Sequence, residues 1–173
     1  PEGQADEQYD YDTAGARIAA RTYNASNTEL YAETTPRDER GRLASKGTTL
    51  GTLSYSYYDN SQLQDVVSSN AAGVNIGYRY DQANRLAFVD DASQTPNSQL
   101  LTTSYTYNPN GSLETMSTAN GVTHTYAYDT LNRLRTLNIG HSTLGILNSY
   151  TYALNPSGHR QSITESTGRT ATY

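Results

Sequence analysis

The 173-residue chain has no cysteine, no tryptophan, one phenylalanine and one methionine, and Lys46 is its only lysine. Without cysteine there is neither a disulfide framework nor a thiolate metal site. Cysteine usage therefore says nothing of the compartment. No apolar run approaches the ~20 residues of a membrane-spanning helix. The first residues, Pro1-Glu2-Gly3-Gln4, lack the charged and apolar regions of a signal peptide. The net charge of −5 comes with no basic patch, which argues against nucleic acid as a partner. Chemistry-bearing motifs are missing too. His124, His141 and His159 have no His-x-His or i, i+4 spacing for a metal. Asp90-Asp91 does not continue into a calcium loop. There is no Gly-x-Ser-x-Gly and no phosphate-binding glycine loop. No catalytic residue, cofactor or metal is expected, and the chain reads as a non-enzyme.

What the chain has is tyrosine. Of its sixteen tyrosines, twelve sit in six Tyr-x-Tyr pairs. Three pairs open a longer phrase. Tyr78-Arg79-Tyr80-Asp81-Gln82-Ala83-Asn84-Arg85-Leu86 matches Tyr126-Ala127-Tyr128-Asp129-Thr130-Leu131-Asn132-Arg133-Leu134 position for position. Tyr105-Thr106-Tyr107-Asn108-Pro109-Asn110-Gly111-Ser112-Leu113 keeps the frame with Asn for Asp and Gly for Asn. Looser copies start at Tyr9, Tyr55 and Tyr150, and Asp38-Glu39-Arg40-Gly41-Arg42-Leu43 keeps only the turn. The copy at Tyr9 reaches its aliphatic residue, Ile18, one position late. The period is about 23 residues, inside the range of repeat architectures. Gly73, Gly121, Gly145 and Gly168 each stand five residues before an opening tyrosine, the last of which is Tyr173. Two punctuation points per repeat imply two strands per repeat.

Tyrosines at i and i+2 point to one face of a strand. Gly and Asn exchange where a positive φ is required. A type I turn followed by one left-handed residue is a common hairpin connection, and Asp or Asn at its head accepts hydrogen bonds from the turn backbone. Asp81 and Asp129 are expected as turn caps. Arg85 and Arg133 are expected to pair across the turn with them. The leucine starts the returning strand, although Leu134-Arg135-Thr136-Leu137 alternates imperfectly. Residues 23–35 are the least regular and are expected to be a loop or a short helix. The expected fold is all-β: tandem antiparallel hairpins forming a curved sheet over residues 1–173, in about seven repeats, degenerate at 23–63.

The phrase Tyr-x-Tyr-Asp-x-x-Gly/Asn-Arg-Leu resembles the YD repeat of the Rhs/YD-repeat proteins. That family includes bacterial polymorphic toxins, cocoon components of insecticidal toxin complexes, wall-associated proteins and animal teneurins. The resemblance implies a β-strip that spirals into a hollow shell, and in the bacterial toxins a shell that encloses a toxic domain. It implies an exported, secreted or cell-surface, bacterial protein. Its partners would be the remainder of the shell and its toxin cargo. The Asp-Pro motifs of the family's autoprotease core do not occur here. Asn108-Pro109 and Asn155-Pro156 occupy turn positions instead. About seven repeats are too few to enclose cargo, so the chain is expected to be a stretch of shell wall, truncated at both ends.

Two functional readings follow. In the first, the tyrosines pack between hairpins and the chain is a structural segment of a toxin shell. In the second, they form an exposed stacking platform, and the chain is a cell-surface adhesion or carbohydrate-binding module with a glycan as partner. Open sheet edges also imply self-association.

Overall fold

The computed structural model describes residues 6–91 and 101–173. Residues 1–4, read above for a leader, lie outside them. Every regular element among the described residues is a β-strand. The chain divides into two compact units, residues 6–78 with Asp91 and residues 79–90 with 101–173. The first unit contains β1 (Asp6–Tyr11), β2 (Arg17–Tyr23), β3 (Glu29–Thr34), β4 (Ser45–Thr48), β5 (Gly51–Tyr57), β6 (Leu63–Ser68) and most of β7 (Asn75–Tyr80). The second takes the end of β7 and nearly all of β8 (Leu86–Asp91). It continues with β9 (Leu101–Tyr107), β10 (Leu113–Ser117), β11 (Val122–Tyr128), β12 (Leu134–His141), β13 (Gly145–Leu154), β14 (Arg160–Glu165) and β15 (Thr170–Thr172). Within each unit the hydrogen-bonded order is the chain order, in an antiparallel meander.

One five-residue turn recurs. Its head N–H donates to the carbonyl four residues on, and the N–H of its fourth residue donates back to the head carbonyl. In the first unit the heads are Asp12, Asn24, Asp38 and Tyr58. In the second they are Asp81, Asn108, Thr118, Asp129, Asn155 and Glu165. The fourth residue always has positive φ, from 56° at Asn27 to 91° at Gly111. Asn84 and Asn132 take 62° and 59° with no glycine present. Asn visits this region because its short polar side chain makes local hydrogen bonds there. Ser61 does the same at 69°.

This turn corrects the reading of residues 23–35. That segment is the end of β2, a turn headed by Asn24, and β3, with no helix. The Asn24 Oδ1 accepts the N–H groups of Ser26 and Thr28, and so holds the turn without a tyrosine pair before it. The four glycines ahead of the tyrosine pairs are less uniform than their spacing suggests. Gly121 and Gly168 close the five-residue turn, and Gly145 has φ 74° in a different loop. Gly73 is not among the positive-φ residues. Its place is fixed by crowding, since a Cβ there would lie 2.2 Å from the Ser68 hydroxyl oxygen.

A bulge follows the turn in hairpin after hairpin. Tyr128 pairs with Leu134, yet Ala127 pairs with Thr136, which leaves Arg135 as the extra residue. Tyr57 with Leu63, Tyr107 with Leu113 and Tyr11 with Arg17 are followed by the same one-residue shift. An extra residue moves the next side chains to the other face. Leu137 therefore opposes Tyr126 on the same face as Leu134, at a spacing of three instead of two. This is why the return strand alternates imperfectly. In the hairpin that follows Tyr9 the slot opposite the second tyrosine holds Arg17, and Ile18 is the bulged residue instead of the leucine's counterpart.

Within each unit the strands form one layer. Ala19, at 5 % exposure, is the only buried apolar residue among those described, and no side chain is fully buried. The paired tyrosines from Tyr55 onward are half-covered, whereas Tyr9 and Tyr11 are exposed, and the residues between the tyrosines, such as Ser56, Arg79, Thr106, Ala127 and Thr151, are exposed. With no second layer to set register by packing, register falls to the turns. Gly111→Val places a β-branched residue at φ 91° and is expected to cost about 1–3 kcal/mol. Asn84→Gly keeps the conformation accessible and is expected to change stability by less than about 1 kcal/mol. Urea unfolding of the two variants beside the parent checks both.

Candidate functional site

The sixteen residues of the three clear phrases fall into three places. Tyr78 and Tyr80 lie on β7, Tyr105 and Tyr107 on β9, and Tyr126 and Tyr128 on β11. Asp81, Asn84, Arg85, Gly111, Asp129, Asn132 and Arg133 lie in turns. Leu86, Leu113 and Leu134 are the first residues of β8, β10 and β12.

Each turn aspartate divides its two oxygens. Asp81 Oδ1 accepts the N–H groups of Ala83 and Arg85, both at 2.9 Å. Its Oδ2 accepts Nε and Nη2 of Arg85, both at 2.8 Å. Asp129 does the same with Leu131 and Arg133 at 3.0 Å, and with the Arg133 guanidinium at 2.8 Å. Asp38 and Arg42 repeat the arrangement in a turn without tyrosines. One carboxylate thus caps the turn and fixes the arginine, and paired charge-assisted bonds to one guanidinium are the strong kind. The backbone N–H of Arg85 holds the Asp81 carboxyl below the usual range, helped by its guanidinium, and Arg133 does the same for Asp129.

The fixed guanidinium has two further uses, both of them made by Arg42. It lies over a tyrosine ring, Arg85 over Tyr107 at 4.5 Å and Arg42 over Tyr57 at 4.4 Å. It also reaches the next turn on the same side. Arg133 Nη1 donates to the Asn155 carbonyl at 3.1 Å, and Arg42 Nη1 to the Tyr58 carbonyl at 3.3 Å. Between the turns headed by Asn108 and Asp129 the link is neutral: Asn110 Nδ2 and the Ser112 hydroxyl both donate to Asn132 Oδ1.

In three of the six pairs the second tyrosine has the same kind of partner. Its hydroxyl donates to the carbonyl of the leucine that follows the preceding turn of the phrase. Tyr107 bonds Leu86 at 2.8 Å, Tyr128 bonds Leu113 at 2.9 Å, and Tyr57 bonds Leu43 at 2.9 Å. These bonds lie where one hairpin ends and the next begins, near the bulge that interrupts the regular ladder. Burial pushes the hydroxyl pKa of Tyr107 and Tyr128 up. The phrase itself holds no trace of this bond, because its two ends belong to successive copies. Tyr58, which stands where a capping Asp is expected, instead donates its hydroxyl to the Tyr78 carbonyl at 3.1 Å.

Asp90 and His141, two of the residues considered for metal chemistry, have other partners. Asp90 Oδ2 pairs with Arg79 at 2.6 Å, and its Oδ1 accepts the Thr102 hydroxyl at 2.7 Å. His141 Nε2 lies 2.9 Å from the Asn120 carbonyl. Among the described residues no three His, Cys, Asp or Glu side chains form a metal-binding group. Chemically, the repeated arrangement fixes backbone geometry and links one hairpin to the next.

No protein-family model matches the chain, and no curated protein matches it. Solved structures do. The crystal structure of TcdB2-TccC3-TEV superposes over 97 % of the chain with a TM-score of 0.75 and 16 % identity. The chain has the fold of a stretch of that protein. The crystal structure of TcdB2-TccC3-Cdc42 gives a TM-score of 0.73 at 16 % identity over 97 % of the chain. The Photorhabdus luminescens Tc holotoxin pore, carrying a TccC3 mutation, gives 0.70 at 14 % identity over 95 %. In each case this chain spans about a tenth of the matched chain's length. Fold and tyrosine phrase thus both resemble the Rhs/YD-repeat architecture.

Tyr107→Phe and Tyr128→Phe each remove one hydroxyl bond and keep the ring. Each is expected to cost about 0.5–1.5 kcal/mol in urea unfolding. The acid limb reports the aspartates. Their folded pKa values are depressed, so the unfolded chain binds more protons as the pH falls. Their contribution is fully present above about pH 4 and is lost as the pH drops through the folded values. Asp129→Asn is expected to make the stability profile shallower below that pH, as followed by thermal melts from pH 7 to 2.

Proposed function

We propose that this chain is a segment of the wall of a β-shell in an exported bacterial toxin assembly, where it contributes a steric barrier around a polypeptide passenger. The observation that carries this reading is the match of nearly the whole chain to a tenth of each Tc structure, made by a sheet in which Ala19 is the only buried apolar residue among those described. A wall needs continuity, fixed register and turn-to-turn linkage. The antiparallel ladder, the ten-fold recurring turn and the tyrosine–leucine bonds supply these. The role is structural and needs no catalytic group. Export follows from the same reading. The adhesion alternative is disfavoured at the tyrosines seen most clearly. Tyr57 and Tyr107 each have a guanidinium over the ring and a hydroxyl committed to backbone.

The test uses the full-length protein that contains this stretch. Under limited proteolysis the passenger is expected to survive while the sheet is folded, and to be digested once urea unfolds it. Digestion of the passenger in the folded protein at the rate of the free passenger would overturn the reading.

A further inference from the structure

The hairpin of β13 and β14 differs from most of the others at one place. Five residues after the turn head, five phrases carry leucine: Leu43, Leu63, Leu86, Leu113 and Leu134. After Asn155 that slot holds Arg160, which pairs with Leu154 across the hairpin. The head is Asn instead of Asp, and His159 stands where Arg85 and Arg133 stand in their turns, so this turn brings no carboxylate. The Arg160 guanidinium lies over the Tyr152 ring at 4.8 Å and within 5.8 Å of the Tyr173 ring. Stacking of this kind restrains a guanidinium and leaves its edge donors outward.

Beside it is an open cleft of about 350 Å³, lined by Arg133, Leu134, Tyr152, Leu154, Gly158 and Arg160. The lining holds two cations and no acid, in a chain of net charge −5. Arg133 is satisfied by Asp129 and the Asn155 carbonyl. Arg160 has no carboxylate within salt-bridge distance among the described residues. Arg17 fills the same slot after Asp12, but Glu7 and Glu33 line its cleft. The Arg160 cleft therefore combines an uncompensated planar fork of donors with an apolar wall of Leu134, Leu154 and the Tyr152 ring. Such a fork matches a carboxylate in a bidentate manner. The wall suits an apolar group next to that carboxylate.

We propose that this cleft binds an organic carboxylate borne on an apolar body, with Arg160 holding the carboxylate and Leu134, Tyr152 and Leu154 covering the body. The site does not depend on the shell reading. The test is a titration of the folded chain followed by the backbone amide signals of Gly158 and Arg160. N-acetylleucine is the probe, with its neutral amide and inorganic phosphate as comparisons. Saturable binding of the acid, at least about tenfold tighter than the amide or phosphate, supports the site. Equal binding of acid and amide, tighter binding of phosphate, or no binding of the acid overturns it. Arg160→Gln is expected to weaken the acid about tenfold, and Arg160→Lys to recover only part, because the point charge lacks the fork. Unchanged affinity in Arg160→Gln, with an otherwise intact amide spectrum, also overturns it. Comparing a short peptide ending in leucine with N-acetylleucine separates the two sources of this chemistry. Tighter binding of the peptide points to a polypeptide end, and equal binding to a free acid.

Discussion

In a sheet one layer thick, strand register is set at the turns, where the head N–H meets the carbonyl four residues on. A packed domain fixes register by burying one face, and a one-residue slip is punished by exposing that face. Here almost nothing is fully buried, so that penalty is small. The closed turn supplies the specification instead. Its left-handed fourth residue and its bulge place the returning leucine opposite the second tyrosine in the hairpins headed by Tyr58, Asn108 and Asp129. The capping carboxylate, the held arginine and the covered ring all follow from that placement.

Tyrosine suits such a sheet better than phenylalanine. A half-covered ring still gains from contact with its strand neighbours, and Leu137 lies between Tyr126 and Tyr150. Its hydroxyl then reaches across to a carbonyl near the end of the ladder. Phenylalanine would give the contact without the link. Phe88, the one phenylalanine, sits on the opposite face under the Arg79 guanidinium.

Some of this was legible in the sequence and some was not, for physical reasons. Asn84, Gly111 and Asn132 could be read as turn residues because few residue types accept positive φ. The strand before each turn could be read because a period of two is unambiguous when both marked residues are tyrosine. The turn at Asn24–Asn27 was hidden because no tyrosine pair announces it, although its two asparagines are the same chemistry. Ser61 was legible only from its place in the frame. The bulge was visible only as an irregularity in Leu134-Arg135-Thr136-Leu137. The tyrosine-to-leucine bond could not be read at all, since it joins residues fourteen to twenty-one apart in different copies.

The strand order has a consequence for synthesis. Each strand pairs with the one before it in the chain and needs nothing from farther downstream. Contacts this local carry little loop-closure entropy and are reached early in folding. Such a polypeptide can acquire its structure from the leading end while the trailing end is still being synthesised, hairpin upon hairpin.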